Sequence, residues 1–380
     1  MNGRQKVEAA LSEGGTAEIP AVICYEGIYV RDHWGQITDQ PWWDRTIPDV
    51  ERQFAWRRQA IDRTGQDWFA LPAIAPRATR RHILVEARPD GAYLIDRRTG
   101  GLERLVEPTI GGWTVGEGTQ SIHPERLAAT RREIDLLIPV SSSTDPAGVR
   151  RDGRADLADR MLAEFGGDLF PLCHVGSPLW LCYHVWGFEG LMTMVGERPD
   201  LVRYACDRYL ISSVRAVREA AALGAAGIWI EECLTDSVSP AAFADLCVPY
   251  VRRLVEAIRA AGMRSIYYYC GDPSSRWDQL FAVGADAISL EESKKGFRID
   301  VDEVVERARG RCAVLGNLDA IDLLTNGSED QLRAEVARQV AAGRRNGGRF
   351  IMSLGSPVTP ATPVQRVRQY CDLVHEIGRG

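Results

Sequence analysis

The sequence predicts an α/β fold: a closed (β/α)8 barrel with an N-terminal extension and an antiparallel β-hairpin excursion, forming one domain over residues 1–380. Three observations predict it. Short apolar runs alternate with amphipathic helical stretches, the pattern of parallel βα units, because the next parallel strand is reached only by a crossover that spans the sheet. Eight such runs can be counted once the segment 82–113 is set aside, and eight parallel strands close a barrel. Several runs end in acidic, thiol or imidazole side chains, which gathers polar groups at the carboxyl ends of the strands, the face where such barrels carry their chemistry.

The elements follow in order. Residues 1–14 are polar and helix-like, and 19–24 form the first strand. An aromatic segment comes next, with Tyr25, Tyr29, Trp34, Trp42 and Trp43 among Gly, Asp and Arg. A helical stretch, 50–64, leads into a strand at 67–74. Residues 82–113 alternate in the manner of β-strands, with turn signals at Pro89-Asp90-Gly91 and Thr99-Gly100-Gly101, and form a flap or rim outside the barrel. The Ser-, Asp- and Gly-rich stretch 141–153 reads as a loop before a helix at 155–165. Regular alternation then sets in: strand 169–175, helix 201–222, strand 226–231, a helix opening at Ser239-Pro240, strand 265–270, helix 274–283, strand 287–290, helix 301–309, strand 312–315, helix 329–344 and strand 350–354. This is the order of a TIM barrel.

Bulk properties narrow the function classes. A 380-residue chain that is 45% hydrophobic can bury a large core. Its net charge is −6, with Arg and Asp/Glu interleaved, so no basic face for nucleic acid is expected. The nine cysteines are scattered and odd in number, which reads as reduced thiols in a cytoplasm rather than a disulfide framework or zinc ribbon. No apolar run reaches the roughly 20 residues needed to cross a bilayer, so no membrane association is expected.

Candidate site residues lie at the predicted strand ends. The run from Ala225 to Asp236 delivers Glu231, Glu232, Cys233 and Asp236; the run 265–270 delivers Tyr268 and Cys270. Successive strand residues point to opposite faces, so one of Glu231 and Glu232 faces inward, and the same alternation divides Tyr267, Tyr268 and Tyr269. His174 ends another strand and is followed by Trp180, Tyr183, His184, Trp186 and Phe188, an aromatic cluster suited either to sandwiching a planar ring or to packing a loop. Glu291 or Glu292 ends a further strand, Asn317 and Asp319 the next. Asn317 reads better as a residue that orders loop backbone, and Lys294 with Lys295 as a solvated charge pair.

A set of motifs ties these positions together. Ser239-Pro240 with Phe243 after an acidic strand end, Cys270-Gly271 after the next strand, Gly316-Asn317-Leu318-Asp319 with Leu323-Leu324, and Gly355 with Thr359-Pro360 and Thr362-Pro363 resemble the uroporphyrinogen decarboxylase superfamily. The resemblance is clear from Leu169 onward and loose in the first third. Its decarboxylase branch carries an arginine-rich segment near the N-terminus for the porphyrinogen's acidic side chains. Here that region is Tyr25-Glu26-Gly27-Ile28-Tyr29-Val30-Arg31-Asp32-His33-Trp34, and Arg31 alone is a poor substitute for several guanidiniums. The other branch, the corrinoid-dependent methyltransferases, shares the hairpin excursion and is the branch this sequence resembles more.

That resemblance implies transfer of a methyl group from a small methylated compound, for example a methoxyaryl ether, to a corrinoid (cobalamin) held on a partner corrinoid protein, and a homodimer of barrels. It also implies zinc held by His-x-Cys and a later Cys. Of those positions Cys270 is retained, while Tyr268 and Ser356 stand at the other two, so that zinc site cannot be built. The register of the resemblance makes Glu232 the inward carboxylate, and a rearranged zinc site of Glu232, Cys233 and Cys270 is one expectation; small buried thiols are the other. Without metal, Tyr268 or a protonated Glu232 would donate a proton to the leaving group. His174, Trp180, Tyr183, Asp236, Glu292, Asn317 and Ser356 are the expected substrate-side residues. Two other classes stay open: a lyase acting on a carboxylated substrate, and a noncatalytic corrinoid- or ligand-binding barrel.

Overall fold

The computed structural model describes residues 1–111, 122–140, 145–294 and 296–379. Its strands in chain order are β1 (Trp68–Ala70), β2 (Ile83–Arg88), β3 (Gly91–Asp96), β4 (Gly101–Arg104), β5 (Phe170–Gly176), β6 (Gly227–Glu232), β7 (Arg264–Tyr269), β8 (Ala287–Leu290), β9 (Ala313–Leu315) and β10 (Phe350–Ile351). β1 and β5 to β10 pair in that order, every pair parallel. The intervening chain covers the outside with helices such as Pro199–Leu223, Val248–Ala260, Glu329–Arg345 and Val364–Ile377. Their ends follow local chemistry: Pro199 and Pro240 occupy first-turn positions where no N–H is needed, and Gly224 closes its helix in the left-handed conformation.

Seven paired strands become a barrel through the segment predicted as the first strand. Residues 19–24 are buried, and Ala21 bridges in parallel to Met352, with Val22 N–H donating to the Met352 carbonyl (2.9 Å) and Met352 N–H to the Pro20 carbonyl (2.9 Å). On the β1 side the ladder is partly built from side chains. Asp67 N–H donates to the Ala21 carbonyl (2.8 Å), the Asp67 carboxylate accepts from Ala21 N–H (2.7 Å), and the Gln66 carbonyl oxygen accepts from Ile23 N–H (3.0 Å). Asp67 also holds Lys6 (2.8 Å) and His375 (2.8 Å), tying the N-terminal and C-terminal helices to the closed end of the barrel. The N-terminal extension is the helix Gly3–Ala10, opened by a capping box between Asn2 and Gln5.

The excursion is the separate antiparallel sheet β2-β3-β4, its turns falling at Pro89-Asp90 and between Asp96 and Gly101 as the sequence indicates. Residues 112–113 of that stretch and 141–144 of the predicted loop lie outside the described residues, and 148–151 form a short helix. The strands expected at 67–74 and 350–354 are shorter, Trp68–Ala70 and Phe350–Ile351, and the aromatic segment after the first strand is helical at Glu26–Asp32 and Trp34–Ile37. The aromatic cluster after β5 folds into the helices Pro178–Leu181 and Tyr183–Glu197, burying Trp180, Tyr183 and Trp186. Among the described residues no helix is long and apolar enough to cross a membrane.

Candidate active site

Register decides which side chains enter the barrel. His174 pairs with Trp229, Trp229 with Ile266, Glu231 with Tyr268, and Tyr268 with Ser289, so these positions share one face. Ring contacts identify that face as the interior. Trp68 meets Trp229 edge-on (5.8 Å), Trp229 stacks with His174 (6.0 Å) and with Tyr268 (5.1 Å), and Tyr268 meets Tyr25 edge-on (5.5 Å). Beyond this aromatic row, at the carboxyl ends of the strands, His174 is exposed and Glu231, Cys233 and Cys270 are half-buried, so solvent reaches a hollow there. His174 is solvent-accessible although protein surrounds it; desolvation lowers its pKa to about 4, so the ring is neutral near pH 7.

Glu231 is the carboxylate in the hollow. Its Oε1 accepts from the Tyr25 hydroxyl at 3.0 Å and from the Cys233 thiol at 3.6 Å. Burial pushes its pKa up, and hydrogen bonds from Tyr25, Cys233 and Trp180 offset only part of that rise. The backbone on both sides is strained to make this arrangement: Tyr25 (φ 53°) and Leu234 (φ 62°) are left-handed non-glycine residues, a conformation of order 1 kcal/mol or more unfavourable that clusters at functional sites. Sequence reasoning placed Tyr25 only within an aromatic segment. The signal that would have singled it out is its place directly after the first strand, on the rim.

Glu232, expected inward, points the other way. It is fully buried between sheet and helices, where its Oε2 accepts from the Cys247 thiol (2.9 Å) and the Tyr267 hydroxyl (3.3 Å). Desolvation raises its pKa from 4.5 to about 7. The expectation failed by one residue of register, which in a strand exchanges the two faces completely. Tyr267 and Tyr269 share this outer layer, and Tyr268 alone of the three enters the barrel, where its hydroxyl donates to the Gly355 carbonyl (3.4 Å). The zinc set of Glu232, Cys233 and Cys270 is excluded by the same geometry, since its carboxylate lies on the far side of the sheet from the thiols. Among the described residues no three His, Cys, Asp or Glu side chains gather closely enough to hold a metal ion.

The remaining expected residues divide by location. Ser356 and Glu292 meet on the opposite wall, where the Ser356 hydroxyl donates to Glu292 Oε2 (2.7 Å) and accepts from Lys294 Nζ (2.5 Å). Lys294 also pairs with Glu291 (2.5 Å), so it is a half-buried bridge rather than a solvated charge; Lys295 lies outside the described residues. Gly355 permits this approach, because a Cβ there would sit 2.2 Å from the Glu292 nitrogen. Asn317 spends its amide on the carbonyls of Glu291 and Ile299 (3.0 Å each), the loop-ordering role read from sequence. Asp236 packs against Gly271, whose φ of +131° and missing side chain let β7 end beside it. Trp180 and Tyr183 are buried and stack on each other (5.3 Å), the packing role that the sequence also allowed. Arg31 is buried and bidentate to Asp32 (2.7 and 3.1 Å).

The comparisons with known proteins bear on this geometry. The chain is 29% identical over 258 residues to a uroporphyrinogen decarboxylase of Anaeromyxobacter sp. (strain Fw109-5), covering 65% of this chain and 68% of that protein. It is 21% identical over 373 residues to the chloroplastic uroporphyrinogen decarboxylase 2 of Arabidopsis thaliana, covering 93% and 90%. Its fold is shared with a methyltransferase from Methanosarcina mazei at a TM-score of 0.67, over 99% of both chains and with 16% identity. The sequence profile of uroporphyrinogen decarboxylase (URO-D) matches residues 115–377, and the chain therefore belongs to the uroporphyrinogen decarboxylase family.

Proposed function

We propose that the barrel transfers a methyl group from a small methylated compound to a corrinoid on a partner protein, with Glu231 as the acid that relieves the leaving group. The observation that carries the reading is Glu231 itself: a carboxyl inside the hollow, held by proton donors and with its pKa raised. Breaking a carbon–heteroatom bond sends the bonding pair to the heteroatom, and a protonated Glu231 would supply the proton that neutralises it. Tyr25 and Trp180 would hold that carboxyl in place. The corrinoid supplies the methyl acceptor; because the interior of an eight-stranded barrel is filled by side chains, the reading puts the macrocycle at the mouth, on its carrier.

Full-length likeness in fold to a protein named as a methyltransferase supports this reading. The decarboxylase names of the sequence relatives favour a second one, a lyase on a carboxylated substrate. Arg31 weighs against it, since its guanidinium is already committed to Asp32. The test incubates purified protein with reduced cobalamin and a panel of methyl ethers, methylamines and methylthiols while following the cobalamin spectrum. Methyl transfer that falls about 10²- to 10³-fold in Glu231→Gln is expected. Carbon dioxide release from a porphyrinogen, with no transfer from any donor, would refute the proposal.

A further inference from the structure

The outward turn of Glu232 leaves a pair of thiols on the wall of the hollow. In the β6–β7 ladder Glu232 pairs with Tyr269, and the next rung, Cys270 N–H to the Glu232 carbonyl, is intact at 2.9 Å. Cys233 and Cys270 are therefore the facing residues one step on. Neighbouring strands lie about 4.8 Å apart, inside the Cα separation of roughly 4.4–6.8 Å at which two cysteines can be bridged. Both are half-buried, and both are free thiols. The Cys233 sulfur also lies 3.6 Å from the Tyr25 hydroxyl and 3.6 Å from Glu231, so whatever happens to it reaches the carboxyl.

We propose that Cys233 and Cys270 are a reversible dithiol–disulfide pair, oxidised by low-molecular-weight disulfides that enter the hollow. The exchange balances without a metal or further oxidant. One protein thiolate attacks the small disulfide and expels one small thiolate, leaving a mixed disulfide. The second protein thiol then gives up its proton, attacks the protein-bound sulfur and expels the second small thiolate. Two protein S–H groups and one small disulfide become one protein disulfide and two small thiols. Oxidation removes the proton that Cys233 donates to Glu231, so the carboxyl loses one of its three donors. The thiol chemistry concerns the same hollow but does not depend on methyl transfer, and its readout is independent of it.

The molecule contains its own control. Cys182 and Cys206 also lie close together, with sulfurs 3.7 Å apart, but both are fully buried. Folded full-length protein is equilibrated with graded ratios of oxidised to reduced glutathione, alkylated, digested and read by peptide mass spectrometry. The expected result is a linked peptide pair containing Cys233 and Cys270, reversed by dithiothreitol, with Cys182 and Cys206 still alkylated. In Cys233→Ser, and separately in Cys270→Ser, the link is lost and the remaining partner carries a glutathione adduct. Full alkylation of both cysteines in the most oxidising buffer, separate stable adducts on the two in the wild-type protein, or a link confined to Cys182–Cys206 would overturn the proposal.

Discussion

Replacing Glu232 by Gln tests the division between inner and outer carboxylates most directly. Glu232 is fully buried, and its pKa is raised from 4.5 to about 7 by desolvation, partly countered by hydrogen bonds from Cys247, Ser177, Thr235 and Tyr267. The folded carboxyl thus binds its proton more tightly than the unfolded one. Its contribution to stability is full below about pH 4.5 and is lost as pH rises to about 7, a swing of about 3 kcal/mol at roughly 1.4 kcal/mol per pH decade. Gln mimics the protonated form. Its carbonyl can accept from Cys247 and Tyr267, the two donors that hold Oε2 in the carboxylate. Urea unfolding at a series of pH values from 4.5 to 8 should show the wild-type protein losing about 3 kcal/mol relative to Glu232→Gln, with unchanged m-values and methyl transfer retained. Parallel stability curves, together with loss of activity in Glu232→Gln but not in Glu231→Gln, would mean that the parity assigned to β6 is wrong.

Two further outcomes follow from the same geometry. The His174 imidazole should titrate near pH 4 by proton NMR, assigned by loss of its resonance in His174→Gln; because the unfolded chain binds this proton more readily, its stabilising effect is present above about pH 6.5 and disappears as pH falls toward 4, and titration near 6.5 would show that the surrounding protein does not desolvate the ring. Asp67→Ala should destabilise the fold by about 3–5 kcal/mol, because it strands the buried Lys6 ammonium and removes the hydrogen bond that closes the barrel at Ala21; a loss under 1 kcal/mol in urea unfolding would show that the closure is held elsewhere.

Much of the barrel was legible because strand and helix periodicities are local. The β8 bounds match the sequence reading, and the helix predicted at 50–64 is observed as Val50–Thr64, opened by Asp49 and closed by Gly65. Closure was legible only in part. Residues 19–24 carry the apolar pattern of a strand, yet nothing in that pattern reveals that the carboxylate of Asp67 and the amide of Gln66 complete its ladder. The helix Tyr183–Glu197 was hidden because it is apolar on most sides, so no amphipathic period marked it.

The sequence alone determined that acidic and thiol groups would meet at the carboxyl ends of β6 and β7, since their position in the run needs no partner to define it. Which of two adjacent glutamates enters the hollow was decided by tertiary structure. Side-chain direction in a strand has a period of two, and its phase is set by contacts from elsewhere in the chain: Tyr25 reaching Glu231 across the mouth, and Cys247 receiving Glu232 behind the sheet.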